Sequence, residues 1–177
     1  MKSRTETKVK RIVESFKQHN PKTCLEAEKL CNIELTPVAE QGAYRDTYFV
    51  KGAPLVVKFP KNTAGTASHS RAEIKAVRRI LRGKRKYRLL HSYMPEIFYG
   101  NVKTGVILMR RYKPLRSKYD VQIADTLERL VQVLWPEKVW TTDVHGANIA
   151  LDDDDEFKII DLGYFTKEGH EYESAES

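Results

Sequence analysis

The feature that most constrains the fold is a pair of short apolar runs, Thr47–Val50 and Leu55–Phe59, separated by Lys51-Gly52-Ala53-Pro54. The runs are rich in β-branched and aromatic residues, and spacers containing Gly and Pro connect antiparallel strands. Two further runs of this kind follow at Glu96–Tyr99 and Val106–Met109. The sequence therefore predicts a small antiparallel sheet.

Two helices are predicted before this sheet. Apolar residues at helical spacing run from Val9 to Phe16, and Asn20-Pro21 ends the pattern. A second helix is predicted at Thr23–Leu30, where Thr23 and Glu26 have the spacing of a capping box. Together these helices form an amino-terminal arm.

Later apolar patterns predict two more helices. Arg71–Leu81 is predicted to be a helix that interrupts the sheet, with an apolar side made of Val77, Ile80 and Leu81. The strongest helical pattern runs from Ile123 to Leu134 and ends at Trp135-Pro136. Between these helices, Lys113–Ser117 has the composition of a linker.

A second hairpin is predicted near the end of the chain. Its strands are Asn148–Leu151 and Phe157–Ile160, and its turn holds four consecutive aspartates, Asp152 to Asp155. A metal site is one interpretation of these aspartates. Consecutive residues in a turn point apart, so a solvated turn is the interpretation that we prefer.

Composition limits the class of protein. A hydrophobic content of 41% over 177 residues supports one compact unit that can divide into two small lobes. No apolar stretch approaches the roughly 18 residues of a membrane span, so we expect a cytoplasmic protein without a membrane partner. The cysteines Cys24 and Cys31 are seven residues apart in a segment that looks helical, which indicates free thiols rather than a disulfide or zinc framework.

The charge is unevenly distributed. The chain has 31 basic and 24 acidic residues, a formal charge of +7. The excess is concentrated in one basic patch, and its members are Arg78, Arg79, Arg82, Lys84, Arg85, Lys86 and Arg88. A solvated helix end and loop is the interpretation that we prefer for the basic patch. If it is a contact surface, an acidic protein partner is the candidate that we favour over nucleic acid.

The order of elements and motifs is similar to that of protein kinases. Asp143-Val144-His145-Gly146-Ala147-Asn148 resembles the catalytic loop of that family, and Ile160-Asp161-Leu162-Gly163 resembles its metal-binding motif. The resemblance extends from about Leu35 to Phe165 and is closest in kind to truncated phage and bacterial effector kinases. A phage or effector kinase would act in the cytoplasm of the host.

The resemblance implies a fold class and a domain division. The expected fold is α+β and protein-kinase-like, with an antiparallel amino-terminal lobe containing one helix and a much reduced carboxy-terminal lobe. Residues 1–32 would form the arm, 33–112 the first lobe and hinge, 113–165 the minimal second lobe, and 166–177 a polar, flexible tail.

The resemblance also assigns roles to residues. Asp143 would accept the proton of the substrate hydroxyl, and Asn148 and Asp161 would hold Mg²⁺. Lys58 would reach the α- and β-phosphates of ATP, and Glu73 would hold Lys58 in place. Contacts to the nucleotide are implied at Gly42, Tyr44, Lys58, Met109 and Tyr112.

Each of these residues has a structural alternative. Lys58 could extend to water from an edge strand. Glu73 could complete a capping box in Ser70-Arg71-Ala72-Glu73, although it shares a helical face with apolar residues. Asp143, Asn148 and Asp161 could be ordinary turn residues, and His145 could either pack the loop or belong to the catalytic set.

Several positions depart from the family pattern. Only Gly42 remains of the three loop glycines, and Thr141-Thr142 replaces the His-Arg that usually precedes the catalytic aspartate. Sixteen residues follow Asp161, too few for the usual substrate-binding helices, so we expect a partner protein or another surface to supply substrate docking.

Three functions follow from these observations. The first is ATP- and Mg²⁺-dependent transfer of the γ-phosphate to Ser, Thr or Tyr hydroxyls of proteins, including autophosphorylation. The second is a pseudokinase that binds and inhibits a partner protein. The third is a small-molecule kinase, which His145 favours.

Overall fold

The computed structural model describes residues 3–39, 42, 44–61, 66–83, 87–115, 120–135 and 143–165. The chain forms two compact units, one of Met1–Ser70 with Glu96–Arg111 and one of Arg71–Pro95 with Tyr112–Ser177. Both contain helices and an antiparallel sheet, so the fold is α+β as predicted. The expected division at residues 32, 112 and 165 stays a prediction. Within the described ranges, no helix is both long and apolar enough to cross a membrane.

The two amino-terminal helices are confirmed. Helix α1 spans Arg4–His19, and helix α2 spans Cys24–Cys31. The capping box predicted for α2 forms in part. The Thr23 side chain accepts a hydrogen bond from the Glu26 amide at 3.2 Å, but the Glu26 carboxylate accepts from the amide of Lys22 instead of that of Thr23. Both cysteines are free, as expected.

The first unit contains a five-stranded antiparallel sheet. Its strands are β1 (Leu35–Pro37), β2 (Arg45–Val50), β3 (Leu55–Pro60), β4 (Ile97–Gly100) and β5 (Ile107–Arg110), in the order β1-β2-β3-β5-β4. The predicted turn between β2 and β3 is confirmed. Gly52 adopts φ +68° there, a conformation that glycine reaches without steric cost.

Alternating side chains separate the two faces of this sheet. One face packs with α1 and α2, through Leu55, Val57, Phe59 and Leu108. Val56 and Lys58 alternate with these residues and therefore point to the other face. The register pairs Val56 with Met109 and Lys58 with Ile107, which places all four side chains on the face opposite to the arm.

The arm is part of the core of the first unit. Ile12, Val13 and Phe16 of α1 are buried against the sheet, and the Phe16 and Tyr99 rings meet edge to face at 5.7 Å. The Lys8 ammonium donates to the Lys51 carbonyl at 3.0 Å, which ties α1 to the turn between β2 and β3. Burial of these apolar side chains gives the arm a structural role.

The second unit contains the later elements. Helix α3 spans Thr66–Arg82 and supplies its first turn to the first unit; α4 (Arg88–His91) and α5 (Asp120–Leu134) follow. A three-stranded antiparallel sheet has the order β6 (Lys113–Pro114), β7 (Ile149–Leu151) and β8 (Phe157–Ile159). The hairpin of β7 and β8 confirms the prediction from sequence.

Three local predictions were wrong. Helix α3 begins at Thr66, five residues before the predicted start at Arg71, because its polar first turns resemble a loop in composition. Leu81 is 48% exposed and does not belong to the apolar side of that helix. The segment Lys113–Ser117 was predicted to be a linker, but Lys113 and Pro114 pair with Leu151 and Ala150. The predicted tail, 166–177, lies outside the described residues.

Replacing Phe16 with Ala should destabilise the protein, because Phe16 is fully buried between α1 and the sheet. Truncation of a buried Phe costs about 3–5 kcal/mol in the free energy of unfolding. Urea denaturation followed by circular dichroism would measure the loss. Leu25→Ala, at a position 78% exposed on α2, should change stability by less than about 0.5 kcal/mol. Equal stability of both variants would contradict a structural role for the arm.

Candidate active site

The loop that resembles a catalytic loop is built on an unusual backbone conformation. Asp143 adopts φ +54°, in the left-handed region that Asp tolerates better than most residues. The Asn148 amide nitrogen donates to the Asp143 carbonyl oxygen at 2.9 Å, and it lies 3.2 Å from Asp143 Oδ2. Val144, which follows Asp143 in the sequence, is buried and anchors the loop. Asn148 therefore fixes both the backbone and the carboxylate of Asp143.

His145 adds a second constraint to the same loop. Its Nδ1 accepts a hydrogen bond from the Ala147 amide at 3.2 Å, which caps a short 3₁₀ turn over Gly146–Asn148. The other ring nitrogen, Nε2, lies 3.0 Å from Asn148 Nδ2 and 3.5 Å from Asp143 Oδ1. His145 thus has a positioning contact, which its sequence position alone left open.

The second motif is held next to the loop by the hairpin. Ile149 of β7 pairs with Ile159 of β8, and the Ile160 amide donates to the Asn148 carbonyl at 2.8 Å. Asp161 is the next residue in the chain. The Gly163 amide donates to Asp161 Oδ1 at 3.0 Å and orients that carboxylate. The hairpin therefore brings Asn148 and Asp161 to the same end of the small sheet.

A buried aromatic cluster holds the chain after Asp161. The Trp135 indole N–H donates to the Phe165 carbonyl, and the two rings meet edge to face at 5.8 Å. Tyr87 packs on Trp135 at 5.8 Å, and the Arg79 guanidinium lies 5.1 Å from the centre of the indole. Sequence reasoning missed this cluster, since it joins residues from four separate segments. From the sequence, Trp135 marks only the end of a predicted helix.

The electrostatics of the loop differ from those of a solvated turn. Burial raises the pKa of the Asp143 carboxyl above its ordinary value; the nearby His145 opposes this shift, whereas the negative charge of Asp161 adds to it. The Asn148 hydrogen bond acts with His145 to favour the charged form. A carboxylate with a raised pKa accepts a proton more readily, which suits a general base.

The donor set at this end of the sheet fits magnesium bound together with phosphate. Mg²⁺ prefers hard oxygen ligands and usually keeps several waters beside one or two protein ligands and phosphate oxygens. Asp161 offers a carboxylate, and Asn148 offers an amide oxygen because its nitrogen is used by Asp143. Across the described residues, no cluster of three or more His, Cys, Asp and Glu side chains could hold a metal without other ligands.

The remaining predicted nucleotide contacts lie mostly in the first unit. Lys58 is on β3, which is a central strand, and its side chain is only 7% exposed. The alternative of an edge-strand lysine that extends to water is therefore wrong. Met109 is buried on the same face of the sheet as Lys58. Tyr44 is half-buried, and Gly42 is exposed with room for a Cβ atom.

Two predicted residues belong to the second unit. Glu73 is fully buried in the interior of α3, seven residues after the start of that helix. The alternative of a capping box with Ser70 is therefore wrong, because both residues lie inside the helix. Tyr112 is half-buried beside β6. The structure thus brings together Asp143, His145, Asn148 and Asp161 in one unit, and Lys58 with Met109 on one sheet face of the other.

One of the four aspartates in the turn of the second hairpin, Asp152, stabilises the turn. Asp152 Oδ1 accepts from the amides of Asp154 and Glu156, both at 2.9 Å, and Oδ2 lies 3.0 Å from the Lys158 ammonium. Lys158 also donates to Glu156 Oε2 at 3.1 Å and to the Ser92 carbonyl at 2.7 Å, so its three protons have acceptors. The interpretation as a solvated turn holds for Asp153 to Asp155, which are exposed, and fails for Asp152.

Comparisons with known proteins add little to this geometry. No protein-family model matches the chain, and no curated protein matches it either. A similar solved structure, "PpkA-294 apo form", shares 11% sequence identity over 82% of this chain, with a TM-score of 0.49. The chain spans 63% of the length of that structure. An identity this low says nothing about activity, so the residues of the chain carry the functional argument.

Replacing Asp152 with Asn should lower the melting temperature by a few degrees at pH 7. The hydrogen bond from the Glu156 amide, together with Lys158, holds the pKa of Asp152 below its ordinary value. A lowered pKa stabilises the fold above the pKa of the unfolded chain, about 3.9, and this contribution is lost as the pH falls through the lower folded pKa. Thermal melts of Asp152→Asn and of the unmodified protein measure this effect. The difference between their melting temperatures should persist from pH 7 to pH 5 and shrink between pH 5 and pH 3.

The exposed neighbour Asp154 provides the matched control for that experiment. Its side chain lies in the same turn, so Asp154→Asn makes the same chemical change without removing the bonds of Asp152. A melting temperature that falls equally in both variants would show that only the net charge of the turn matters.

Proposed function

We propose that this protein is an ATP- and Mg²⁺-dependent phosphotransferase that moves the γ-phosphate of ATP to hydroxyl groups of proteins. The observation that carries the proposal is the loop of Asp143 and Asn148, joined to Asp161 by a hairpin. A base with a raised pKa, an amide oxygen and a carboxylate at one end of a sheet are the groups that phosphoryl transfer requires.

Each residue has a defined role in this proposal. Asp143 orients the acceptor hydroxyl and takes its proton, and Asn148 keeps the Asp143 carboxylate in place. Asn148 Oδ1 and the Asp161 carboxylate would hold Mg²⁺, which when bound neutralises charge on the phosphates. The resemblance to protein kinases assigns binding of the α- and β-phosphates to Lys58, and the support of Lys58 to Glu73. Burial of Lys58 and Glu73 favours these roles, because charged side chains are seldom buried without a specific purpose.

Replacing Asp143 or Asp161 with Asn should reduce phosphate transfer by roughly 100-fold or more, because one change removes the base and the other a metal ligand. The measurement is transfer of label from γ-labelled ATP to the protein itself and to added protein substrates, with Mg²⁺ present. Asp154→Asn, in the exposed turn of the neighbouring hairpin, should retain full activity.

The same assay separates the proposal from its main alternative. If the unmodified protein binds ATP with Mg²⁺ but labels no protein, the pseudokinase hypothesis replaces phosphotransfer. Label on small molecules alone would point to the small-molecule kinase. If either Asp143→Asn or Asp161→Asn transfers label at the rate of the unmodified protein, the role assigned to that residue is wrong.

We further propose that the basic patch docks an acidic protein surface. Arg78, Arg82 and Arg88 are exposed, and between Arg71 and Arg88 the single acidic residue is Glu73, which is fully buried. Exposed Leu81 and Leu89 lie among these arginines and favour a protein partner over nucleic acid. Arg79 also contacts the Trp135 ring, and Lys84–Lys86 lie outside the described residues.

Reversing the charge of Arg78 and Arg82 to Glu should weaken binding of an acidic peptide roughly tenfold, because complementary charge is lost at the contact. Fluorescence anisotropy of a labelled peptide rich in Glu and Leu, at low and physiological salt, would measure the affinity. Arg4→Glu with Arg11→Glu on the exposed side of α1 changes the net charge equally and should have little effect. Equal weakening by both pairs would indicate a net-charge effect without a docking surface.

A further inference from the structure

A cavity of about 400 Å³ lies beside the first turns of helix α1. One of its walls belongs to α1, and the opposite wall is formed by the turn between β2 and β3 and by strands β4 and β5. All of these elements are parts of the first unit. Sites that bind small molecules usually enclose roughly 300–1,000 Å³. The cavity is therefore large enough for a small ligand.

The cavity is distinct from the residues assigned to phosphate transfer. Arg110 of β5 lines the cavity and pairs with Leu55 of β3. Residues directly opposite in an antiparallel pair point to the same face of a sheet. Leu55 belongs to the core shared with α1, so Arg110 points to the arm side of the sheet, whereas Lys58 points to the other side. A ligand in the cavity would leave the face of Lys58 uncovered.

The interior of the cavity is apolar. Val9 and Val13 of α1 face Pro54 of the turn and Phe98 of β4. Val13 is buried, and the other three side chains are half-buried. Apolar surface that remains accessible in a concave site gains free energy when a hydrocarbon group replaces water there. The interior therefore favours a hydrocarbon chain over a sugar or a base, which would need several hydrogen-bond partners.

The rim of the cavity carries a cation that the helix does not neutralise. Lys10 lines the cavity and is exposed, and Glu6 and Glu14 lie one helical turn from it on either side. The Glu6 carboxylate accepts from the Ser3 amide at 2.9 Å in the capping box of α1. The Glu14 carboxylate pairs with Lys17 at 3.0 Å. Within the described part of the chain, Lys10 therefore keeps an ammonium that has no ion pair.

The other charges around the cavity limit the ligand to a single negative charge. Arg110 Nε donates to Glu96 Oε2 at 2.7 Å, so the charge of this guanidinium is already shared with a carboxylate. Glu6 also lines the cavity and would repel a polyanion. One ammonium at the rim of an apolar interior matches a ligand that has one carboxylate and a hydrocarbon body.

We propose that this cavity binds a small aliphatic carboxylic acid in its ionised form. The hydrocarbon chain would lie between Val9 and Phe98, and the carboxylate would pair with Lys10 at the rim. In this arrangement burial of the chain supplies most of the affinity, and the ion pair supplies the orientation. The inference goes beyond phosphotransfer and does not depend on it.

Binding of hexanoate, octanoate and 1-octanol to the ¹⁵N-labelled full-length protein, followed by NMR, tests this inference. Octanoate should shift the amide signals of Val9 and Phe98. Octanoate should bind roughly 10-fold more tightly than hexanoate, because each buried CH₂ group adds about fourfold to the affinity. Lys10→Gln should weaken octanoate binding by about three- to fivefold and leave binding of the uncharged 1-octanol unchanged.

Two variants serve as comparisons. Arg11→Gln removes a positive charge from the next residue of the same helix, which is exposed and does not line the cavity, so octanoate affinity should stay the same. Val9→Ser makes the interior more polar and should weaken octanoate and 1-octanol alike. Lys10 and Arg11 are both exposed, so neither change to Gln should impair folding.

Several results would overturn the inference. They are equal octanoate affinity of Lys10→Gln and the unmodified protein, an equal loss in Arg11→Gln, shifts confined to residues outside the cavity, or no binding of octanoate at millimolar concentrations. Shifts of Val9 and Phe98 that follow protein concentration and not octanoate would assign the cavity to a second copy of the chain. Shifts caused by an acetylated peptide of Leu and Glu, but not by octanoate, would assign it to a protein partner.

Discussion

Burial of strand β3 on both faces is the constraint on which the first unit depends. Leu55 to Phe59 are all buried, although Lys58 carries a charge. The side of the strand that packs with α1 and α2 holds apolar side chains alone, so the arm and the sheet form one continuous core. The other side carries Lys58 between apolar neighbours. The amino-terminal helices therefore stabilise the strand that presents the lysine without occupying the face to which it points.

The second unit depends on a different kind of interaction. There the polar side chains are held by backbone groups: Asn148 binds the carbonyl of Asp143, the amide of Gly163 binds Asp161, and two amides bind Asp152. Hydrogen bonds to charged groups are stronger than those between neutral groups, and they fix direction as well as distance. The small sheet is short, so these contacts together with buried Ile149 and Ile159 define the geometry of the loop.

The sequence predicted local elements better than contacts between distant residues. The β2–β3 turn and the β7–β8 hairpin follow from Gly, Pro and Asp residues whose preferences act over a few positions. The start of α3 was missed because Thr66–Ser70 is mostly polar and lacks apolar residues at helical spacing. Strand β6 was missed because two residues carry no periodic signal, and its pairing partner is distant in the chain.

The candidate site shows the same limit. Asp143, Asn148 and Asp161 could be named from spacing, since both motifs lie close to the hairpin that joins them. The sequence could not show that Arg45 is buried, or whether Lys58 lies on an edge strand or a central strand. Both properties depend on the order of strands in the sheet. The roles of Trp135 and Lys158 depend on residues 30 and 66 positions away, respectively, which no local pattern reveals.

The position of Trp135 gives the protein an internal spectroscopic probe. Indole emission depends on the polarity and the charges around the ring, and here the ring contacts Arg79, Tyr87 and Phe165. Its N–H is bound to the segment that directly follows Asp161 and Gly163. The chain has two tryptophans, so a variant with Phe in place of Trp140 would leave Trp135 as the sole indole, which can be excited selectively over tyrosine. Its spectrum would then report the environment of the Asp161 segment in solution, without an added label.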